Sequence, residues 1–233
     1  MICHILGTGG SARALAHPTP WTVRADPPSL GDITKENAVH TLVVYCHPRT
    51  DSLNHAVLEA LLRRLDREGR GHEVIDLYAD GFDPALSADE LAGYNDGTVL
   101  DPHVRRYQEL LAQAEHLAIV CPVWWNDVPA MLRGFFDKVM LVGFSWEPTG
   151  SGLLGKLTNL STCDLYTTSD EDASFFDKAF ALSFVEGTLA QLGIGGLGEG
   201  SSANRRWHHL GSVATTTPEQ RAAWLREVEG HEG

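Results

Sequence analysis

The sequence is short of the features that mark several protein classes. Cysteine is scarce: Cys3, Cys46, Cys121 and Cys163 are far apart and none stands in Cys-x-x-Cys spacing, so neither a zinc site nor a disulfide framework is indicated. Buried, reduced thiols in a cytoplasmic protein are the expectation. Basic residues are outnumbered, with 18 Lys and Arg against 31 Asp and Glu and a formal charge of -13. Phosphate binding along a groove needs a concentrated basic face, so a nucleic-acid partner is not expected. No apolar run is long enough to span a bilayer, and the first residues lack the basic and hydrophobic regions of a signal peptide. Integral membrane association is therefore not expected either.

What is present is a chain of 233 residues, enough to bury a substantial core as one domain with appendages. Residues 1–38 read as an irregular extension, because Pro18, Pro20, Pro27 and Pro28 break any long element. The stretch GTGGSARALA within it has the wrong glycine spacing for a dinucleotide fingerprint, and Pro18 follows before a crossover helix could form. The domain proper is read as 39–233. Thr41 to Cys46 is a β-branched, apolar strand, and Leu53, Val57, Leu61 and Leu65 recur at four-residue spacing in the helix after it. His72 to Leu77 supplies a second strand, a short helical piece lies around Ser87 to Ala92, and a helix runs from about Pro102 to Ala114.

The richest segment is Glu115 to Trp146. Leu117 to Cys121 is a continuous apolar run, as suits a parallel strand covered on both faces, and Pro122 ends it. Pro129 opens a helix whose Leu132, Phe135, Phe136, Val139 and Met140 share one face. Val123, Trp124, Trp125, Asn126 and Asp127 lie between these two elements, with adjacent indoles that cannot both enter one core. Either one packs under the helix and the other caps the loop against a neighbouring subunit, or the pair borders a flat aromatic ligand. Further on come a Gly-rich turn, EPTGSGLLGK, and a fourth strand, Leu157 to Cys163, followed by a loop from Asp164 to Asp172. A long helix with Phe175, Phe176, Ala179, Phe180 and Val185 inward comes next, then a last strand around Gly193 and Ile194. Thr217 and Gln220 form a capping box for a C-terminal helix that buries Trp224, Leu225 and Val228. Strands alternating with helices predict an α/β fold with a doubly wound, five-stranded parallel sheet. In such sheets ligands bind at the carboxyl edge.

Pro122, Trp125, Pro129, Leu132, Arg133, Gly134, Phe135, Phe136, Asp137, Lys138 and Val139 stand on a pattern that resembles the flavodoxin-like NAD(P)H:quinone oxidoreductases of the DT-diaphorase type. His47, Ser52 and Asn54 match that family's His-x-x-x-x-Ser-x-Asn loop. The resemblance implies the flavodoxin strand order 2-1-3-4-5 and a flavin at the loops after the first, third and fourth strands. His47, Thr50, Ser52, Leu53 and Asn54 would hold its phosphate at a helix N-terminus, although Thr50, Asp51 or Ser52 could equally be a plain N-cap. Pro122, Val123, Trp124, Trp125 and Asn126 would hold the ring through backbone N–H groups. Thr162, Cys163 and Asp164 would form the third loop, where the family usually carries Thr-Thr-Gly-Gly, and Tyr166 is the nearest candidate for a catalytic residue. His208 and His209 lack a third partner at metal-ligand spacing and are placed near the substrate mouth.

The resemblance further implies FAD, favoured over FMN by the His47 loop spacing, NAD(P)H as electron donor, a planar acceptor such as a quinone, ping-pong hydride transfer and a homodimer. A regulatory flavoprotein similar to the ancillary subunits of potassium-efflux systems shares the same loops. The altered third loop also leaves open a member that no longer binds flavin.

Overall fold

The computed structural model describes residues 40–176 and 179–230. The predicted extension 1–38, with its GTGGSARALA stretch, lies outside the described residues.

Five parallel strands form the sheet: β1 (Thr41–Tyr45), β2 (His72–Asp76), β3 (His116–Pro122), β6 (Thr162–Thr168) and β7 (Arg205–Leu210), in the order β2-β1-β3-β6-β7. A separate antiparallel hairpin, β4 (Trp146–Thr149) with β5 (Gly152–Gly155), supplies the two missing numbers. With it left out of the count, the sheet has the flavodoxin order 2-1-3-4-5. The hairpin occupies the segment read from sequence as a Gly-rich turn.

Every residue of β1 and β3 is buried, which is what continuous apolar runs produce in a strand covered on both faces. Successive side chains feed opposite layers. Val43, Tyr45, Ala118, Val120 and Tyr166 pack with Val57, Leu61 and Leu65 of α1 (Leu53–Arg67) and Val228 of α6 (Pro218–Val228). Leu42, Val44, Leu117, Ile119 and Leu165 pack with Val104, Tyr107 and Leu111 of α3 (Pro102–Gln113) and Leu132, Phe135 and Val139 of α4 (Ala130–Val139). Each fully buried Val, Leu, Ile or Phe side chain among them contributes about 1.5–3 kcal/mol of transfer free energy. Gly134 is required on α4 by close approach: a Cβ there would sit 2.3 Å from both Cβ and O of Pro84. The short helix α2 (Ala88–Gly93) starts at Ser87 with a full capping box, and α6 starts at Thr217 with another. Trp224 and Leu225 pack at the margin of the core, partly buried.

Three readings are corrected. The fourth strand of the sheet is Thr162–Thr168, not Leu157 to Cys163, whose first five residues form a turn ahead of it. The fifth strand is Arg205–Leu210, not the stretch around Gly193 and Ile194. Gly193, Gly195 and Gly196 take φ values of 83°, 82° and 91°, left-handed turn geometry that no strand tolerates. The predicted long helix is broken into α5 (Ala173–Phe176) and a π-helical segment, Ala181–Leu189. Phe176, Phe180 and Val185 face inward as expected, whereas Phe175 and Ala179 are exposed.

Candidate functional site

The carboxyl ends of β1, β3 and β6 lie side by side, and the loops that follow them meet over the sheet edge. After β1, the chain turns at His47 and enters α1 with Ser52 as N-cap, whose hydroxyl accepts from His55 N at 3.1 Å. The capping reading of Ser52 is therefore correct, and the helix still offers its positive end to an anion. Asp51 does not face that end as a free charge. Arg49 donates from Nε to its Oδ1 at 2.8 Å, and this hydrogen bond draws the Asp51 carboxyl below its usual range. Asn54 is buried. Its Nδ2 donates to Thr168 Oγ1 at 2.9 Å, and its Oδ1 has no partner among the described residues. A buried amide with one atom unmatched fits a polar ligand group in this corner.

The aromatic loop after β3 is a tight two-residue turn. Trp124 N donates to Asp127 O at 2.9 Å, and Asp127 N to Trp124 O at 3.1 Å. Trp125 and Asn126, between them, have φ of 52° and 61°, the paired positive values of a type I′ turn. For a bulky indole this conformation is an outlier of the kind that collects at functional sites. Arg133 anchors the turn to α4, donating to Asp127 at 2.7 and 3.1 Å and to Thr188 Oγ1 at 3.1 Å. Val123 N is bonded to Thr168 O, and Val128 N to the Asp127 side chain. The N–H groups of Trp125 and Asn126 have no hydrogen-bond acceptor among the described residues. Trp125 is 100% exposed and Trp124 44%. The Trp124 ring lies 6.2 Å from that of His47.

The third loop is not where it was expected. Thr162, Cys163 and Asp164 belong to β6, paired with His116, Leu117 and Ala118 at the amino end of the sheet, away from the crevice. Asp164 survives burial in a strand because Arg206 donates to it from Nε at 2.7 Å and from Nη2 at 2.6 Å, and His208 Nε2 lies 2.7 Å away. Tyr166 is also buried in β6, its ring stacked on His208 at 4.6 Å, and burial raises its hydroxyl pKa. The loop that reaches the crevice is Ser169 to Asp172. Thr167 and Thr168 close β6, and Ser169 and Asp170 follow them into the crevice. His209 supports this loop, with Nδ1 2.7 Å from Thr167 Oγ1 and Nε2 2.9 Å from Ser169 Oγ. His208 and His209 thus point to opposite faces, as neighbours on a strand must.

Two adjoining cavities follow. One, about 260 Å³, is lined by His47, Ser52, Leu53 and Asn54 together with Pro122, Thr168 and Val213. The other, about 530 Å³, is lined by Trp124, Trp125, Asn126, Glu171, Phe175 and Phe176 among others. Both are bordered by Val123, Trp124, Ser169 and Asp170, so they form one groove with a polar end at α1 and an aromatic end at the turn. Thr50 is exposed and lines neither. Thr168, Ser169, Asp170, Glu171 and Val213 were not singled out from sequence, and Phe175 and Phe176 were read only as inward-facing helix residues; the β-branched run Thr167-Thr168 ahead of Ser-Asp-Glu-Asp was the available signal.

The model of the flavodoxin-like fold family Flavodoxin_2 matches residues 39–198. The chain belongs to this flavodoxin-like family. Among curated relatives of this flavodoxin-like protein, the ribosyldihydronicotinamide dehydrogenase [quinone] of Pongo abelii is 29% identical over 177 residues, covering 64% of this chain and 74% of the relative. The NAD(P)H dehydrogenase [quinone] 1 of Rattus norvegicus is 30% identical over 151 residues, 58% of this chain and 55% of the relative. An NAD(P)H oxidoreductase of Haemophilus influenzae is matched over 58% of its length, so the chain spans less than two thirds of several relatives. A solved NAD(P)H:quinone oxidoreductase from Methanothermobacter marburgensis superposes with a TM-score of 0.70 at 24% identity, covering 83% of this chain and 96% of that one, a likeness of fold.

Proposed function

We propose that the protein is a flavin-dependent NAD(P)H oxidoreductase that passes two electrons to a quinone or similar planar acceptor. The observation that carries this reading is the single groove joining the α1 N-terminus and the half-satisfied Asn54 amide to a cleft walled by Trp124, Trp125, Phe175 and Phe176. One end suits a phosphate and the other a planar ring system. Curated relatives named for quinone-dependent dehydrogenation, and a solved Bacillus anthracis NADH-azoreductase in complex with FMN, support the same chemistry.

Either FMN or FAD suits the groove. When bound, the flavin supplies hydride acceptance from the nicotinamide and hydride delivery to the acceptor. The chain's own residues do the rest. Ser52 and the first turn of α1 hold the phosphate. Asn54 holds a polar group beside it, pinned by Thr168. The Trp125 and Asn126 N–H groups are the donors available to a ring edge, and the indoles would border one face of the ring. Alternate use of one cleft by donor and acceptor gives ping-pong kinetics. Trp125, fully exposed, and Phe175, 57% exposed, form an aromatic rim that a second copy of the chain would cover, which supports a homodimer.

Steady-state oxidation of NADH and NADPH with benzoquinones and naphthoquinones, after loading with flavin, tests the reading. Turnover is expected. A flavin-loaded protein that turns over no quinone, azo or nitro acceptor would favour the regulatory alternative.

A further inference from the structure

We propose that Arg133 is the positioning residue of the aromatic end of the groove: it locks Asp127, and so keeps Trp125 and Asn126 in the left-handed turn that presents their N–H groups. What those N–H groups meet rests on reading the groove as a flavin site. Positive φ values of 52° and 61° are costly for side chains that carry a Cβ, and neither position has the glycine that such a turn favours. Two backbone hydrogen bonds between Trp124 and Asp127 close the turn. A strained conformation of this kind persists only where its surroundings over-determine it.

Arg133 supplies that hold from α4. Its Nε and Nη2 donate to the two oxygens of Asp127 at 3.1 and 2.7 Å, a bidentate fork that fixes the carboxylate's orientation, and Asp127 Oδ1 also accepts from Val128 N at 2.8 Å. Nη1 donates to Thr188 Oγ1 at 3.1 Å, and that hydroxyl passes its own hydrogen to Ser183 O at 3.4 Å. The guanidinium carbon stands 5.2 Å from the ring centroid of Phe184, which is fully buried and packs edge-on against Phe136 of α4 at 5.3 Å. The guanidinium is thus held between the turn and the π-helical segment that follows Phe175 and Phe176 in the chain. An exposed pair of flexible side chains would fix little. This pair is part-buried, bidentate and backed by a ring. A lysine ammonium could meet Asp127 but could not also hold Thr188 in the same planar geometry. Arg133 itself lines neither half of the groove, so it acts on the N–H groups only through Asp127.

The test reads the turn and the ligand separately, on the full chain as wild type, Arg133→Met, Asn126→Gly and the double variant. Chymotrypsin cuts after Trp only where the chain opens into an extended conformation, so cleavage after Trp124 or Trp125, followed by mass spectrometry, reports the open population of the turn. Arg133→Met should raise that rate at least about tenfold. Glycine accepts the left-handed geometry without steric cost, so the double variant should return to within about threefold of Asn126→Gly alone. FMN affinity by equilibrium dialysis should follow the same pattern, at least about tenfold weaker in Arg133→Met and restored in the double variant. If Arg133→Met does not fold, Asp127→Asn, which keeps an acceptor for Val128 N, takes its place with the same expectations. Unchanged cleavage, a rise that Asn126→Gly does not reverse, or an FMN affinity that stays constant while the turn opens would each overturn the proposal. The two readings fail separately. If neither FMN nor FAD binds the wild type, the flavin reading is lost and cleavage alone decides the role of Arg133.

Discussion

Asn54, in the first turn of α1, donates from Nδ2 to the hydroxyl of Thr168, the last residue of β6, across 2.9 Å and 114 positions of sequence. This bond ties the loop after the first strand to the loop after the fourth parallel one. Both residues line the polar end of the groove, so the contact that closes the fold at this edge also sets the shape of the site.

Replacing Thr168 with Val keeps the volume and removes the acceptor, leaving Asn54 Nδ2 buried and unpaired. An unsatisfied buried donor costs about 1–3 kcal/mol, so urea unfolding should show a loss of that order. With the amide no longer pinned, flavin affinity should fall about tenfold, the equivalent of about 1.4 kcal/mol. A stability loss with unchanged flavin affinity would reduce Asn54 and Thr168 to a structural pair.

The two indoles should separate by function. Trp124 borders both halves of the groove, whereas Trp125 borders only the aromatic cleft. Trp124→Leu is therefore expected to weaken flavin binding as well as acceptor use. Trp125→Leu should leave the flavin in place and lower kcat/KM for quinones by up to about tenfold, the scale of an aromatic contact worth about 0.5–1.5 kcal/mol. Flavin content and kinetics measured on both variants check this. Identical losses in the two would show that the turn acts only as a unit.

His116 gives the protein a sensitivity to acid. It is buried at the start of β3, with Nδ1 2.8 Å from Thr162 Oγ1, and burial pushes its pKa from 6.5 down to about 4. The unfolded chain then binds a proton before the folded one does, so this contribution to stability is present above about pH 6.5 and is lost as pH falls towards about 4. Asp164 adds to the loss at lower pH. Burial alone would raise its pKa, but Arg206 and His208 outweigh that and hold it well below the usual carboxylate range. Denaturant midpoints should show a drop on the order of 2 kcal/mol between about pH 7 and pH 5, absent in His116→Gln. A flat wild-type profile across that window would contradict it.

The parts of the site legible in the sequence were those where one residue type serves one purpose. The continuous apolar run of β3, the helical spacing of α4 and the Ser52 cap each follow from local chemistry, and they place the first two loops correctly. The third loop was misread because Asp164, a charged residue, looked like a strand's end. Only Arg206 and His208, some forty residues later and on an edge strand, make its burial tolerable. That edge strand was itself hidden: RRWHHL is polar by composition and is held by parallel pairing with β6 rather than by apolar alternation. The β4–β5 hairpin was missed for a similar reason, since its short segments carry little hydrophobic signal.

The most direct test of the central claim is a titration of the purified protein with FMN and with FAD, followed by the quenching of flavin emission as the ring enters the aromatic end of the groove. The account predicts saturable binding of at least one of them at micromolar concentration or below, weakened in the Thr168→Val variant. If neither flavin binds at micromolar concentration to the folded wild-type chain, the groove is not a flavin site and the oxidoreductase reading is contradicted.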